Sequence, residues 1–292
     1  MISIMKIIDF SEPLCKGAIA FNHIAFLQEQ IRESKDSEVV IRMADAGRTG
    51  LTFVFLIGCL PLYAEKFNKK LRLLVTPKVY RLLSRINVVD YYQTSTLTND
   101  SYPINQNSLL KQPAFKKIQT PSDIIAFVNT IQMEAPIHLT EEAQELLTSR
   151  IAEVYMNALE HSSANIVLGG KYFKFQKNKY CFSCYDDGIG IPMKVNAFFL
   201  DNGKSEVSDK EAVEWALQKG HSTSENNAIP RGVGLDLLRS FAKSNKAAIR
   251  LCSGKVLYSL TSSGKEGYSL LEHSFDGTLF EMDLFSDSIS SD

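Results

Sequence analysis

The sequence predicts an α/β protein built from two units, and three observations carry that expectation. Between Glu38 and Val89, short stretches rich in Val, Ile and Leu alternate with longer helical patterns, the β-α-β-α order of a small α/β unit. Thr94–Thr120 then interrupts the pattern with a polar stretch holding Asn, Ser and two prolines. Beyond it, a long helical pattern leads into a strand and two glycine-bearing turns. The length of 292 residues agrees with two domains at about 100–200 residues each. The net charge of −1 hides a matching split: 16 Lys+Arg against 11 Asp+Glu through Thr130, then 16 against 22.

Taken in order, Glu38–Ala44 reads as a strand from its Val and Ile content. Leu51–Phe67 is long and apolar enough for a helix, which Pro61 should kink or break. Leu71–Val75 is a second short strand. Pro77, at a favoured first helical position, opens Lys78–Val89, where Leu82, Leu83, Ile86 and Val89 recur at helical spacing. Thr94–Thr120 reads as a linker, and a helix restarts at Pro121-Ser122-Asp123 through Ile131. The boundary lies between 95 and 135, giving units of 1–120 and 121–292. Thr140 is a plausible N-cap for a helix running to about His161, with Glu141 and Glu142 favouring its first turn through the helix dipole. Tyr180–Tyr185 alternates as a strand, Asp236–Lys243 as a helix, and Leu279–Leu284 as a terminal strand with one buried face.

Composition excludes several classes. Hydrophobic residues make up 45% and charged residues 22%, the balance of a folded globular chain. The longest apolar run, Leu51–Ala64, is interrupted by Gly58 and Pro61 and falls short of the roughly 20 residues a membrane span needs. No basic-then-apolar secretory signal opens the sequence. Five scattered cysteines point to a reduced, cytoplasmic compartment. Cys181 and Cys184 have C-x-x-C spacing but lie within a strand pattern, so they read as core packing.

The chemistry-bearing residues form a short series. Glu153, Asn157 and His161 recur every four residues and share a helix face. A solvated face is the simplest account of them taken alone. Asp186-Asp187-Gly188-Ile189-Gly190 then follows a strand: a carboxylate at a strand end, beside two glycines, can hydrogen-bond a flat polar ring. Arg231-Gly232-Val233-Gly234-Leu235 precedes a helix, where backbone N–H groups and the dipole favour an anion such as phosphate.

In this order, Glu153-x-x-x-Asn157-Ala158, Asp186-x-Gly188-x-Gly190 and Gly232-x-Gly234-Leu235 resemble the GHKL ATPases. These include DNA gyrase, heat-shock chaperones, histidine kinases, mismatch-repair ATPases and anti-sigma-factor serine kinases. The resemblance covers about residues 140–285. It implies an α/β sandwich with helices layered on a mixed sheet, binding ATP and Mg²⁺. By that resemblance Asn157 holds Mg²⁺ and Glu153 positions or deprotonates attacking water. Asp186 would accept from the adenine amine, with Gly188 and Gly190 leaving room for the base and Thr278 beside the aspartate. Gly232, Val233, Gly234 and Leu235 would cradle phosphate. Ser222 and Thr223 would sit in a mobile lid over the nucleotide, from which their hydroxyls or Arg231 could reach phosphate. His161 either contacts phosphate or is satisfied by polar neighbours.

The front unit resembles the STAS fold of anti-sigma-factor antagonists in its strand and helix order. Thr49-Gly50-Leu51 falls where that family carries its phosphate-accepting hydroxyl, although Asp45-Ala46-Gly47-Arg48 departs from the family's pattern. Thr49 reads more simply as an ordinary helix N-cap. The combination implies a cytoplasmic regulatory ATPase or serine/threonine kinase that uses Mg-ATP hydrolysis or phosphoryl transfer to switch a regulatory protein partner. A homodimer is allowed, no membrane is expected, and nucleic acid is disfavoured. The alternative is a non-hydrolysing, nucleotide-gated module binding an acidic partner or nucleic acid.

Overall fold

The computed structural model describes residues 5–10, 17–43, 50–89, 115–134, 140–174, 179–221 and 234–285, which form a mixed α/β chain with two sheets. It divides into two compact units, 1–116 with 273–275, and 117–272 with 276–292. No described helix is long and apolar enough to cross a membrane.

The first unit runs β1 (Met5–Phe10), α1 (Ala18–Glu33), β2 (Glu38–Met43), α2 (Leu51–Glu65), β3 (Lys70–Leu74) and α3 (Pro77–Arg85). Its sheet has the order β1-β2-β3, and both pairings are parallel. Parallel neighbours need a crossover of a dozen or more residues, which α1 and α2 supply. Val39, Val40 and Ile41 are all buried, so β2 is covered on both faces, as a central parallel strand should be. Apolar residues surround α2 on every side, and nearly all from Phe53 to Ala64 are buried. Pro61 lies inside this helix without ending it. Gly58 allows a close approach, since a Cβ there would lie 2.7 Å from Val88. Thr76 caps α3 by accepting from the Val79 amide at 3.4 Å, ahead of Pro77. Lys69 Nζ donates to the carbonyls of Ile31 at 2.6 Å and Arg32 at 2.7 Å, satisfying the exposed end of α1.

Strand β1 and helix α1 were not expected from the sequence. Lys6 and Asp9 break the apolar pattern of β1, while α1 buries Gln28 among its core positions and starts at Gly17 with no side-chain cap. Residues 44–49, with Thr49 and the turn preceding α2, lie outside the described residues.

The second sheet begins with β4 (Phe115–Ile118), followed by α4 (Pro121–Glu134), α5 (Glu141–His161), β5 (Val167–Lys174) and β6 (Lys179–Asp186). Next come α6 (Ile191–Asp201), α7 (Asp209–Ala216), α8 (Gly234–Ser244), β7 (Ala248–Leu260) and β8 (Glu266–Phe285). The strand order is β4-β5-β6-β8-β7. Part of the expected linker is therefore a strand: β4, FKKI, is a short edge strand whose central lysines disguise it in the sequence. The sheet, expected to be mixed, is antiparallel where β6 pairs with β5 and with β8. Only residues 175–178 separate β5 from β6, too few for a parallel crossover.

One core fills the space between this sheet and its helices. Phe127 and Val128 of α4, Ile151 and Tyr155 of α5, and Leu238 and Phe241 of α8 pack with Tyr180, Phe182, Phe280 and Met282. A smaller cluster joins Val195 and Phe199 of α6 to Ala212 of α7. The C-terminal strand is longer than expected, and over Leu279–Leu284 both of its faces are buried. Leu279–Leu284 was expected to expose Glu281 and Asp283, but both are buried and ion-paired.

Candidate functional site

Strand β6 carries Asp186 to its end, where the register places it opposite Thr278 of β8. The two residues singled out 92 positions apart are thus cross-strand neighbours. Asp186 is only 6% exposed, and its Oδ1 accepts from the Gly188 amide at 3.0 Å. Asp187 turns inward instead: its Oδ1 accepts from the Ile166 amide at 2.8 Å, tying the turn to the start of β5. Of the two consecutive aspartates, the second therefore has a structural role.

The glycines have reasons inside the fold. A Cβ on Gly188 would lie 2.1 Å from the Ser162 carbonyl, which accepts from the Ile189 amide at 3.0 Å. Gly190, with φ +81°, immediately precedes α6, and a Cβ there would lie 2.9 Å from Ser253 Oγ. At both positions the space a side chain would take is filled by protein atoms, so the turn needs glycine for its own packing. Gly277 has φ +90°, and a Cβ there would lie 1.9 Å from the Asp186 carbonyl.

Ser253 of β7 ties these pieces together. Its Oγ accepts from the Ile191 amide at 2.9 Å, donates to the Gly277 carbonyl at 2.9 Å and lies 3.2 Å from Thr278 Oγ1. Ser162 and Ser253 escaped the sequence reading. A serine in a strand gives no local signal, and its partners lie 24 and 62 positions away. Lys194 on α6 is held below the ordinary lysine range by burial, while the Asp186 carboxylate pulls in the opposite direction.

On α5, Leu147, Ile151, Tyr155 and Ala158 form the buried stripe. Tyr155 donates from its hydroxyl to the Ser183 carbonyl at 2.8 Å, and burial pushes its phenol well up. Glu153 and Asn157 lie on the side away from this stripe. Asn157 is exposed, and Glu153 pairs with Arg150 at 3.1 Å. The end of α5 meets the Asp186 turn through Ser162, five residues after Asn157, about 7.5 Å along a helix axis. The side chain of His161 lies outside the described residues, as do Ser222, Thr223, Arg231, Gly232 and Val233. Gly234 begins α8, and Leu235 packs against the main core.

A second polar group sits on β6, β7 and β8. Arg250 pairs with Glu281 and, at 2.7 Å, with Asp283, which also receives Lys179 at 2.6 Å. Ser183 Oγ donates to Glu281 at 3.2 Å. Cys181, Glu281 and Asp283 place potential metal-ligand atoms within 4.8 Å of one another. The chemistry of that set favours an internal ion network over a metal centre. Burial pushes the Cys181 thiol well up, and the two carboxylates push it further, so it stays protonated. Burial also opposes the charge on Asp283, but Arg250 and Lys179 outweigh it and hold the carboxyl below its ordinary range. Cys184 packs in the helix-side core, on the opposite face of the strand from Cys181, so the C-x-x-C spacing does not converge.

No model of a known protein family matches the sequence. Among curated proteins, none matches it.

Proposed function

We propose that this chain is a nucleotide-binding regulatory protein of the GHKL type, which uses Mg-ATP to switch its interaction with a protein partner. The observation that carries the reading is the pairing of Asp186 with Thr278 at the end of adjacent strands, beside the Gly188–Gly190 turn. The family resemblance implies these residues as one adenine-reading group, and a random set of polar residues has no reason to fall in register. Asp186 accepts hydrogen bonds and so suits an exocyclic amine. Asn157 suits Mg²⁺ as a donor, because an exposed amide oxygen can supply one ligand of an octahedron that phosphates and waters complete. The metal would neutralise charge on the phosphates. Asn157 would hold it, and Glu153 would orient a nucleophile from the same helix face.

One observation favours a second version, in which ATP is held and barely turned over. Glu153 pairs with Arg150, which competes with any role for its carboxylate on water. Incubation with γ-labelled ATP and Mg²⁺, followed by separation of free phosphate from labelled protein, distinguishes the outcomes. Turnover that Glu153→Ala abolishes supports the hydrolytic or transfer reading. Tight binding with no labelled product supports the gated module. Absence of ATP binding by calorimetry overturns both.

A further inference from the structure

We infer that Ser253 is a positioning residue that fixes the Thr278 hydroxyl as an acceptor, so that the Asp186–Thr278 pair selects a 6-amino purine over a 6-oxo purine. The inference rests on the nucleotide reading above and adds the residue that sets its base specificity.

The argument is a proton count. A serine hydroxyl has one proton to give and two lone pairs. Ser253 is fully buried and has three polar neighbours: the Gly277 carbonyl, the Ile191 amide and the Thr278 hydroxyl. A carbonyl only accepts, so Gly277 takes the Ser253 proton at 2.9 Å. An amide only donates, so Ile191 occupies one lone pair at 2.9 Å. What remains for Thr278 is the other lone pair, at 3.2 Å, and the threonine must donate to it. The proton positions follow from satisfying the network as a whole. Thr278 Oγ1 is then left with acceptor capacity alone for anything that approaches it.

Across the ladder, Asp186 is also an acceptor, with Oδ1 already receiving the Gly188 amide. Two acceptors on facing strands suit the amino group at C6 of adenine. The carbonyl at C6 of hypoxanthine would meet oxygen lone pairs instead. A site built to pair one polar group discriminates strongly against an analogue that leaves it unpaired. Without Ser253, the Thr278 hydroxyl could rotate and donate to that carbonyl.

The test compares ATP with inosine triphosphate, which differs from it only in the purine edge, by calorimetry on the full chain with Mg²⁺. Ser253→Ala should lower the ATP preference about tenfold, the scale of one mispaired hydrogen bond, with inosine triphosphate losing least. A purely structural role would weaken both nucleotides alike, and an unchanged preference overturns the inference. Should Ser253→Ala fail to fold, Thr278→Val gives an independent reading. It must lower the preference by weakening ATP alone, whereas a raised preference would mean that the hydroxyl donates and would overturn the assignment. Wild-type protein that binds ATP without preferring it defeats this inference only. Wild-type protein that binds neither nucleotide defeats the nucleotide reading, and this one with it.

Discussion

At Gly277 the fold depends on a missing methyl group. A Cβ would sit 1.9 Å from the Asp186 carbonyl, and φ is +90°, so both sterics and conformation forbid alanine. Gly203 has φ +69° with no atom within 4 Å of its would-be Cβ, so only the conformational penalty applies there. Gly203→Ala should cost about 1 kcal/mol and Gly277→Ala on the order of 2–4 kcal/mol, read from urea unfolding midpoints. Equal losses would show that the backbone near Asp186 yields to the added methyl. The sequence showed that Asp186, Gly188 and Gly190 belong together, because they adjoin one strand end. It could not show that Ser162 and Ser253 complete the group, since nothing in a lone serine records a partner brought close by folding.

The elements add a second level of constraint. Helix α5 is legible as a helix from its periodicity, but not the tie to β6 that the Tyr155 hydroxyl adds to the shared core by donating to the Ser183 carbonyl. Tyr155→Phe should cost about 1 kcal/mol in thermal or urea unfolding, the net worth of one buried hydrogen bond. A change near zero would mean that packing alone holds the pair. On the sheet, Arg250 serves both Glu281 and Asp283, so Arg250→Met should destabilise by about 3–5 kcal/mol, the cost of breaking a buried ion pair from one side. Lys179→Met removes one contact to Asp283 and should cost less. Because the Asp283 carboxyl is held below its unfolded value, its stabilisation is present above about pH 4 and disappears as pH falls through the folded value. Asp283→Asn should therefore flatten the acid limb of the stability profile. A limb of unchanged slope would place that acid sensitivity elsewhere.

Across the whole molecule, the proposed ligand should act on stability by mass action. Mg-ATP at about 100 times its dissociation constant should add about 2.7 kcal/mol and raise the melting temperature, and Asp186→Asn should remove that shift. A shift that survives Asp186→Asn would place the nucleotide elsewhere in the chain. Local pattern alone determined the α/β class, most elements after Glu38 and the grouping of Asp186 with its glycines. Each of these follows from periodicity or turn chemistry within a few residues. The tertiary structure alone supplied the strand register that sets the expected Thr278 directly across from Asp186, and it alone bound Ser253 between the strands and the α6 turn. It alone buried the terminal carboxylates against Arg250, because strand register and pairing are fixed by long-range packing that no window of sequence contains.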